Sequence, residues 1–560
     1  MKTFIKYTVI LMIALSFGAC NESFFEKYPL SAPSDANFLA NEAELQMALT
    51  ACYDNLYYHP HDGVPFVMLL ECVSDHGWDR NTSNLQQIGQ GTHDSKNTFL
   101  MDFWTRMYRG IARCNLILNN LGNAENRTRP EIIRQVEGET RFLRAYFYFY
   151  LAELYGGVPL VEKPIALSES QIPKSSKEQI VQFLFNELDD AASKLSPTNN
   201  PREGRATKGA ALALKSRIAL YNRQWNVAIA AASQVMSMEG TEYELYPHYG
   251  DLFMYAGESS KETIFAINYL YGFQTNSLPG ATISRIAQGM SIKIPTQQRI
   301  DSYECIDGLT IDKSPIYDPD HPFENRDPRL KFTCVVPGDI FYGYQFETHR
   351  DSLECWNYNV NPPARVANTE ATHDYASFSG YLWKKYCDGT VDFGNRRSNS
   401  ELNYMMMRYA EVLLNYAEAK IEAGQIDDSV LEAINKVRQR PSVNMPAITA
   451  RDQTALREAV RKERSYELGG EGIRIFDIIR WKYSEIVMNN TVYGKVPRGL
   501  LAAPPVFDEK GIPDYTNVSN RDQMRVIERR TFDVNKNYVW PIPFNEIQTN
   551  PALEQNPNYN

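Results

Sequence analysis

Apolar residues recur at helical spacing in three separate stretches of the chain. Between Arg205 and Met236, Ala210, Ala213, Leu214 and Ala219 to Tyr221 share one face, the period lapses at Asn222 and Arg223, and Trp225, Ala228, Ala231, Ala232 and Val235 resume it. Two antiparallel helices of about 34 residues together are the size of a tetratricopeptide-like unit. A second pair spans Arg408 to Arg440. Its first helix carries Leu413, Leu414, Ala417 and Ile421 and stops at Gly424. Its second opens with Ser429 and Glu432 in capping-box spacing, buries Val430, Ala433, Ile434 and Val437, and stops at Pro441. An earlier pair, roughly Asp102 to Asn120 and Glu131 to Tyr155, sets Phe142, Tyr146, Phe149 and Tyr150 near one face, where they are expected as core.

From about Tyr269 to Leu402 the helical period disappears, and Gly, Pro, Asn, Asp and aromatic residues dominate. The pattern predicts a mostly α fold: tetratricopeptide-like helix pairs form a scaffold, packed against a loop-rich half with a few short strands. Loops on a rigid scaffold are a common place for binding sites, so the recognition surface is expected there.

The first residues are an address. Lys2 and Lys6 precede an apolar run, Thr8 to Phe17, too short to span a bilayer, and Gly18 and Ala19 lead into Cys20. This resembles a bacterial lipobox, in which Cys20 would be lipidated and begin the mature chain. Phe17 stands where such boxes carry a smaller residue, which leaves an ordinary signal peptide as the alternative. The remaining cysteines, Cys52, Cys72, Cys114, Cys305, Cys334, Cys355 and Cys387, are odd in number and contain no CxxC. No disulfide framework is indicated, though one or two bridges among the last four suit an oxidising compartment.

A net charge of −10 removes the basic field that nucleic-acid binding needs. There is no HExxH, GxSxG, GxGxxG after a strand, or Walker-type loop. No catalytic residue is assigned, although a glycosidase needs only two carboxylates that sequence spacing does not reveal. His59, His61, Asp62 and His76 lack a completing ligand cluster, so no metal site is expected. The densest charge lies at Arg461, Glu463, Arg464 and Glu467, followed by Glu471, Arg474, Asp477 and Arg480. Helical spacing pairs Arg464 with Glu467 and Arg474 with Asp477. A partly buried ion-pair network tying two helices across a Gly turn is preferred to a catalytic carboxylate.

Tyr 34 and Trp 7, against Phe 26, favour rings that stack by their faces with a wet polar edge. Pyranose faces suit such rings. Asp75, Trp78, Arg80 and Asn81 form one candidate glycan site, in a Gly-containing loop between helices; Trp78 is as readily core. Tyr271, Tyr342, Tyr344 and Trp356 are further candidates, each more readily structural than not.

Several ordered motifs carry a resemblance. They are the lipobox at Cys20; Trp104-Thr-x-x-Tyr108-x-x-Ile111-x-x-Cys-Asn115; Glu139-x-x-Phe142-Leu-Arg144-Ala-Tyr146; and Leu154-Tyr-Gly-Gly-Val-Pro159. Asn325-Arg-Asp-Pro-Arg-Leu330, Arg408-Tyr-Ala-Glu-Val-Leu-Leu414, the block from Glu463 to Trp481 and the tail from Tyr538 to Tyr559 follow. Over nearly its whole length the chain resembles the SusD/RagB family of Bacteroidetes outer-membrane lipoproteins. The resemblance implies a signal peptide over 1–19, a helical part over 20–265 and a C-terminal part over 266–560, the last two forming one globular unit. It also implies a non-catalytic, lipid-anchored protein of the outer membrane that captures oligosaccharide or polysaccharide and caps a SusC-like TonB-dependent transporter. Peptide cargo is an alternative within the same class, and a surface glycoside hydrolase a more distant one. Some members bind calcium, for which no loop is evident here. Only Cys20 carries over residue by residue; the sugar contacts are expectations from chemistry alone.

Overall fold

The computed structural model describes residues 39–198, 200, 203–390 and 397–559; the leader 1–19 and Cys20 lie outside them. The helical scaffold comprises Glu42–Asp54 (α1), Thr98–Asn120 (α2), Pro130–Tyr155 (α3), Lys177–Lys194 (α4), Lys208–Tyr221 (α5) and Trp225–Met236 (α6). It continues with Tyr409–Glu422 (α7), Asp428–Arg438 (α8), Gln453–Leu468 (α9) and the short Arg474–Arg480 (α10). Each of α2 to α8 packs on the next, and α9 returns to α7. The contact of α6 with α7 closes the scaffold across the whole irregular segment, which is therefore an insertion between two neighbouring helices.

The local reasons are visible in the sequence. Thr207 caps α5 by accepting from Ala210 N, and Arg223, at φ 58, breaks the chain before α6. In α3, Pro130 occupies the first turn, where its missing N–H costs nothing, and Gly156 ends the helix at φ +76. Helix α2 crosses α3 closely at Gly110, where an added Cβ would stand 2.5 Å from the Phe147 ring. Phe142, Tyr146, Phe149 and Tyr150 are all core, and each such buried ring contributes roughly 1.5–3 kcal/mol by leaving water.

Three local details differ from expectation. Helix α2 begins at Thr98 because Asn97, rather than a residue near Asp102, accepts from Leu100 N. Helix α8 is capped by Asp427, which accepts from both the amide and the hydroxyl of Ser429, so the Ser429 box does not form. Helix α4, passed over by the periodicity argument, carries a real capping box between Ser176 and Gln179.

The core is continuous between the two halves. Phe265 of Thr263–Ile267 (β2) meets Phe142 edge-on at 4.9 Å, and Phe476 of α10 lies 5.6 Å from Phe149. Strand β2 pairs antiparallel with Tyr404–Arg408, which runs straight into α7. The irregular half holds a two-stranded ladder of Gly77–Asp79 (β1) with Lys293–Pro295 (β3). It also holds a four-stranded sheet of Ile340–Phe341 (β4), Tyr344–Gln345 (β5), Glu354–Asn357 (β6) and Ala364–Ala367 (β7). Cys305, Cys334, Cys355 and Cys387 are separate buried thiols, as are Cys52, Cys72 and Cys114, so the bridges allowed for the last four do not form.

Candidate functional site

The segment around Trp78 is a buried strand rather than a surface loop. Trp78 pairs with Ile294 across the ladder, packs among Ile283, Phe341 and Tyr342, and donates from Nε1 to Glu528 at 3.0 Å. Only 6% of it is exposed, so it offers no ring face to a ligand. Asp75 is equally enclosed and takes Arg474 at 2.7 Å. Burial works against its charge, but Arg474 and His76 hold its carboxyl well below the usual range. Tyr342 lies in the same small core as Trp78. These three expected glycan contacts are thus supports of the fold.

Above this layer the structure assembles a surface that the sequence did not point to. Phe378 stacks on Trp78 with centroids 5.6 Å apart and planes 21° from parallel. Tyr375 beside it is 60% exposed. The Arg80 guanidinium lies 5.4 Å from both the Tyr375 and the Phe378 centroids, and that of Arg525 3.8 Å from Phe378. Arg80 donates to the carbonyl oxygens of Tyr375 and, at 3.0 Å, of Met290; Arg285 Nε donates to the same Tyr375 oxygen at 2.9 Å. Burial, then the neighbouring Arg285, pull the Arg80 pKa down to about 10. Asn81 is exposed at the rim and donates to Asp62 at 3.1 Å. Beneath, the wholly buried Lys293 neutralises both Asp62 (2.6 Å) and Asp79 (2.5 Å). Arg80 and Asn81 therefore belong to this surface, while Tyr375 and Phe378 were missed; a Gly- and Ser-flanked aromatic pair in the irregular half was their only trace.

The remaining candidates sit on two other features. Trp356, 38% exposed on β6, faces Arg365 across the pair at 5.2 Å and lies 6.5 Å from the exposed Tyr358 ring. Tyr344, half-buried on β5, stands opposite Asn357. Tyr271 lies on the tight turn from Leu270 to Gln274, beside Phe273, which is 85% exposed. The sheet and the turn each place rings in solvent.

The charged block is a buried ion-pair network. Glu467 accepts from Arg408 and Arg440, each at 2.7 Å, and from Arg329 at 3.1 Å. Burial raises its pKa, but Arg440, Arg408 and Arg329 overcome this and hold it down to about 2. Glu262, Glu463 and Glu471 extend the network through Arg440, Arg329 and Lys385. The expected pairing of Arg464 with Glu467 is absent; Arg464 instead bonds Asp477 at 3.1 Å. The network is fully buried and ties the Tyr404–Arg408 strand, the end of α8, α9 and the Asp327 turn, more than the two helices expected. The histidines do not converge: His59 bonds the Tyr269 hydroxyl at 2.8 Å, His61 stacks on Phe99, and His76 is buried between Glu71 and Asp75.

A helical-repeat scaffold thus carries an irregular half with exposed aromatic rings. The chain belongs to the SusD family, whose model matches residues 254–559. A second family model, "Starch-binding associating with outer membrane", matches residues 27–220. The starch-binding protein SusD of Bacteroides thetaiotaomicron is 29% identical over 445 residues, which cover 70% of this chain and 74% of that protein. SusD-like protein P2 of Formosa agariphila is 24% identical, covering 99% of this chain and all of that protein. Among solved structures, a SusD-like carbohydrate-binding protein from Bacteroides fragilis superposes with a TM-score of 0.80 at 30% identity, covering 92% of this chain and all of that one.

Proposed function

We propose that the chain is a non-catalytic surface lipoprotein, anchored through lipid on Cys20. It binds oligosaccharide or polysaccharide and delivers it to a SusC-like TonB-dependent transporter in the outer membrane. The observation that carries this reading is the exposed Tyr375 ring, backed by Phe378 on buried Trp78 and edged by Arg80 and Asn81. A pyranose face stacks on such a ring, and the guanidinium and amide edges meet its hydroxyls. Trp356, Tyr358 and Tyr271 offer further stacking surfaces for a longer chain. The starch-binding and carbohydrate-binding relatives support the same assignment.

The test is calorimetric titration of the full chain in detergent with plant, mucin and microbial oligosaccharides, each sample then assayed for cleavage. Saturable heat without new reducing ends, lost in a folded Tyr375→Ala variant, is the expected result. Cleavage would make the protein an enzyme, and heat from peptides alone would make it a peptide carrier. Co-purification with a barrel partner tests the transporter assignment separately.

A further inference from the structure

Most of the deeply buried arginines among the described residues meet carboxylates, although Arg299 and Arg326 bond backbone oxygens instead. Arg408 touches Glu262, Glu467 and Glu471; Arg480 touches Glu418 and Asp477. Around Tyr375 the pattern reverses. Arg80, Arg285, Arg350 and Arg525 cluster there, in a protein of net charge −10, and among the described residues none lies within 4.0 Å of a carboxylate. Arg80 and Arg285 share the single Tyr375 carbonyl oxygen. Arg350 spends one nitrogen on Ala371 O at 2.9 Å, and the Arg525 guanidinium rests on the Phe378 ring without a hydrogen bond to the described residues.

The nearby carboxylates are already engaged. Glu370 is buried and accepts from the amides of Arg285 (2.6 Å) and Ser377 (2.7 Å). Asp79 serves Lys293 and the amides of Asn81 and Thr82. Both offset part of the positive charge through space, but neither caps a guanidinium. Exposed Asp374 reaches none of the four within 4.0 Å. Like charges held together on half-buried sites repel, and the guanidinium N–H groups left over on Arg285, Arg350 and Arg525 match the planar oxygens of a carboxylate or the oxygens of a sulfate ester, while Arg80, spent on backbone carbonyls, adds its charge.

Building on the glycan-binding reading, we propose that this face selects acidic glycans. An exposed ring takes the sugar face while Arg285, Arg350 and Arg525 take uronate carboxylates or sulfate esters and Arg80 adds its charge. The carboxylate and sulfate sources are separated by the choice of probe.

The test titrates the full chain in detergent with oligogalacturonate and its methyl ester, and with a sulfated galactan oligosaccharide and its unsulfated counterpart. At least one acidic member should bind about tenfold or more tightly than its neutral partner, as one lost charge-assisted contact implies. That preference should weaken as salt screens the charges. Arg285→Gln and Arg525→Gln should each reduce acidic binding several-fold while leaving the melting temperature near wild type. The Arg525 side chain makes no hydrogen bond to the described residues, which keeps the second variant informative if the first unfolds. Equal binding of acidic and neutral partners would overturn the inference while the glycan reading stands. Binding of no glycan of either kind would remove both.

Discussion

The buried Trp78 ring lies flat against Phe378, 5.6 Å away, and its Nε1 donates to Glu528 450 residues further along the chain. A residue that no ligand can reach therefore sets the position of the half-buried ring at the base of the Tyr375 surface. Trp78→Ala should lower stability by about 3–5 kcal/mol, chiefly from the cavity, since Glu528 keeps Gln90 and Arg530 as donors. It should also weaken glycan binding more than its distance from the ligand suggests. Trp78→Phe keeps most of the stack and loses only the hydrogen bond. Melting and titration of the two variants side by side check this; native binding in a folded Trp78→Ala protein would show that Phe378 needs no support.

Glu467 is where three arginines from separate segments meet, so its loss strands buried positive charge. Glu467→Ala should cost about 3–5 kcal/mol, enough to unfold much of the population near body temperature. Chemical denaturation provides the measurement. A Glu467→Ala chain that melts like the wild type yet no longer binds its ligand would give this carboxylate a role in function.

Acid should destabilise the fold through the same groups. Burial opposes charge at both Glu467 and Glu418, but their arginine partners win and hold each pKa down to about 2, below the unfolded range near ~4.3. Depressed carboxyl pKa values stabilise above the unfolded value, and that contribution is lost as the pH falls through the folded one. Stability should thus decline between about pH 5 and pH 2. Asp301 acts in the opposite sense: burial lifts it to about 6, so its favourable contribution is complete below ~4 and disappears as the pH rises through 6. Unfolding free energies measured across pH 2–8 should show the acid loss dominating, since Glu467 and Glu418 each face three arginines whereas Asp301 faces only Arg326.

All seven described cysteines are buried thiols. Burial pushes Cys334 and Cys387 up to about 12, away from the reactive thiolate. Native protein should therefore resist alkylation until denatured, and reductant should leave its melting temperature unchanged. Mass spectrometry after thiol labelling gives the count, and a native-state disulfide between any two of the seven would contradict it.

The helices were legible because their information is local. Ala210, Ala213 and Leu214 reveal a buried face by spacing alone, and the Gly424 stop appears where the period ends. The site was not legible for the complementary reason. Asp75 and Trp78 are polar-flanked in sequence, yet Arg474 and Glu528 arrive from 399 and 450 residues away and make their burial tolerable. A three-residue strand is too short to show alternation, so β1 looked like a loop. The Glu467 cluster was recognised as ionic, but its partners Arg329, Arg408 and Arg440 come from other elements, which helical spacing cannot report. Tyr375 and Phe378 gained significance only from what packs beneath and beside them.

The ring candidates divide by exposure, and substitution should divide them the same way. Tyr342, 6% exposed within the Trp78 cluster, should lose about 3 kcal/mol or more on replacement by alanine and affect binding only through that instability. Trp356, 38% exposed with one side toward Arg365, gives up little apolar burial, so Trp356→Ala should stay within about 1 kcal/mol of wild-type stability. If its free face stacks on sugar, the same variant should lose affinity by about tenfold, the effect of one aromatic contact of ~1–1.5 kcal/mol. Tyr271→Ala, on the Leu270 turn, should behave like Trp356→Ala to the extent that long glycans reach it. Melting curves and titrations of Tyr342→Ala and Trp356→Ala decide the matter: a stable Tyr342→Ala chain, or a Trp356→Ala chain with unchanged affinity for every ligand of the wild type, would remove that ring from the role assigned to it here.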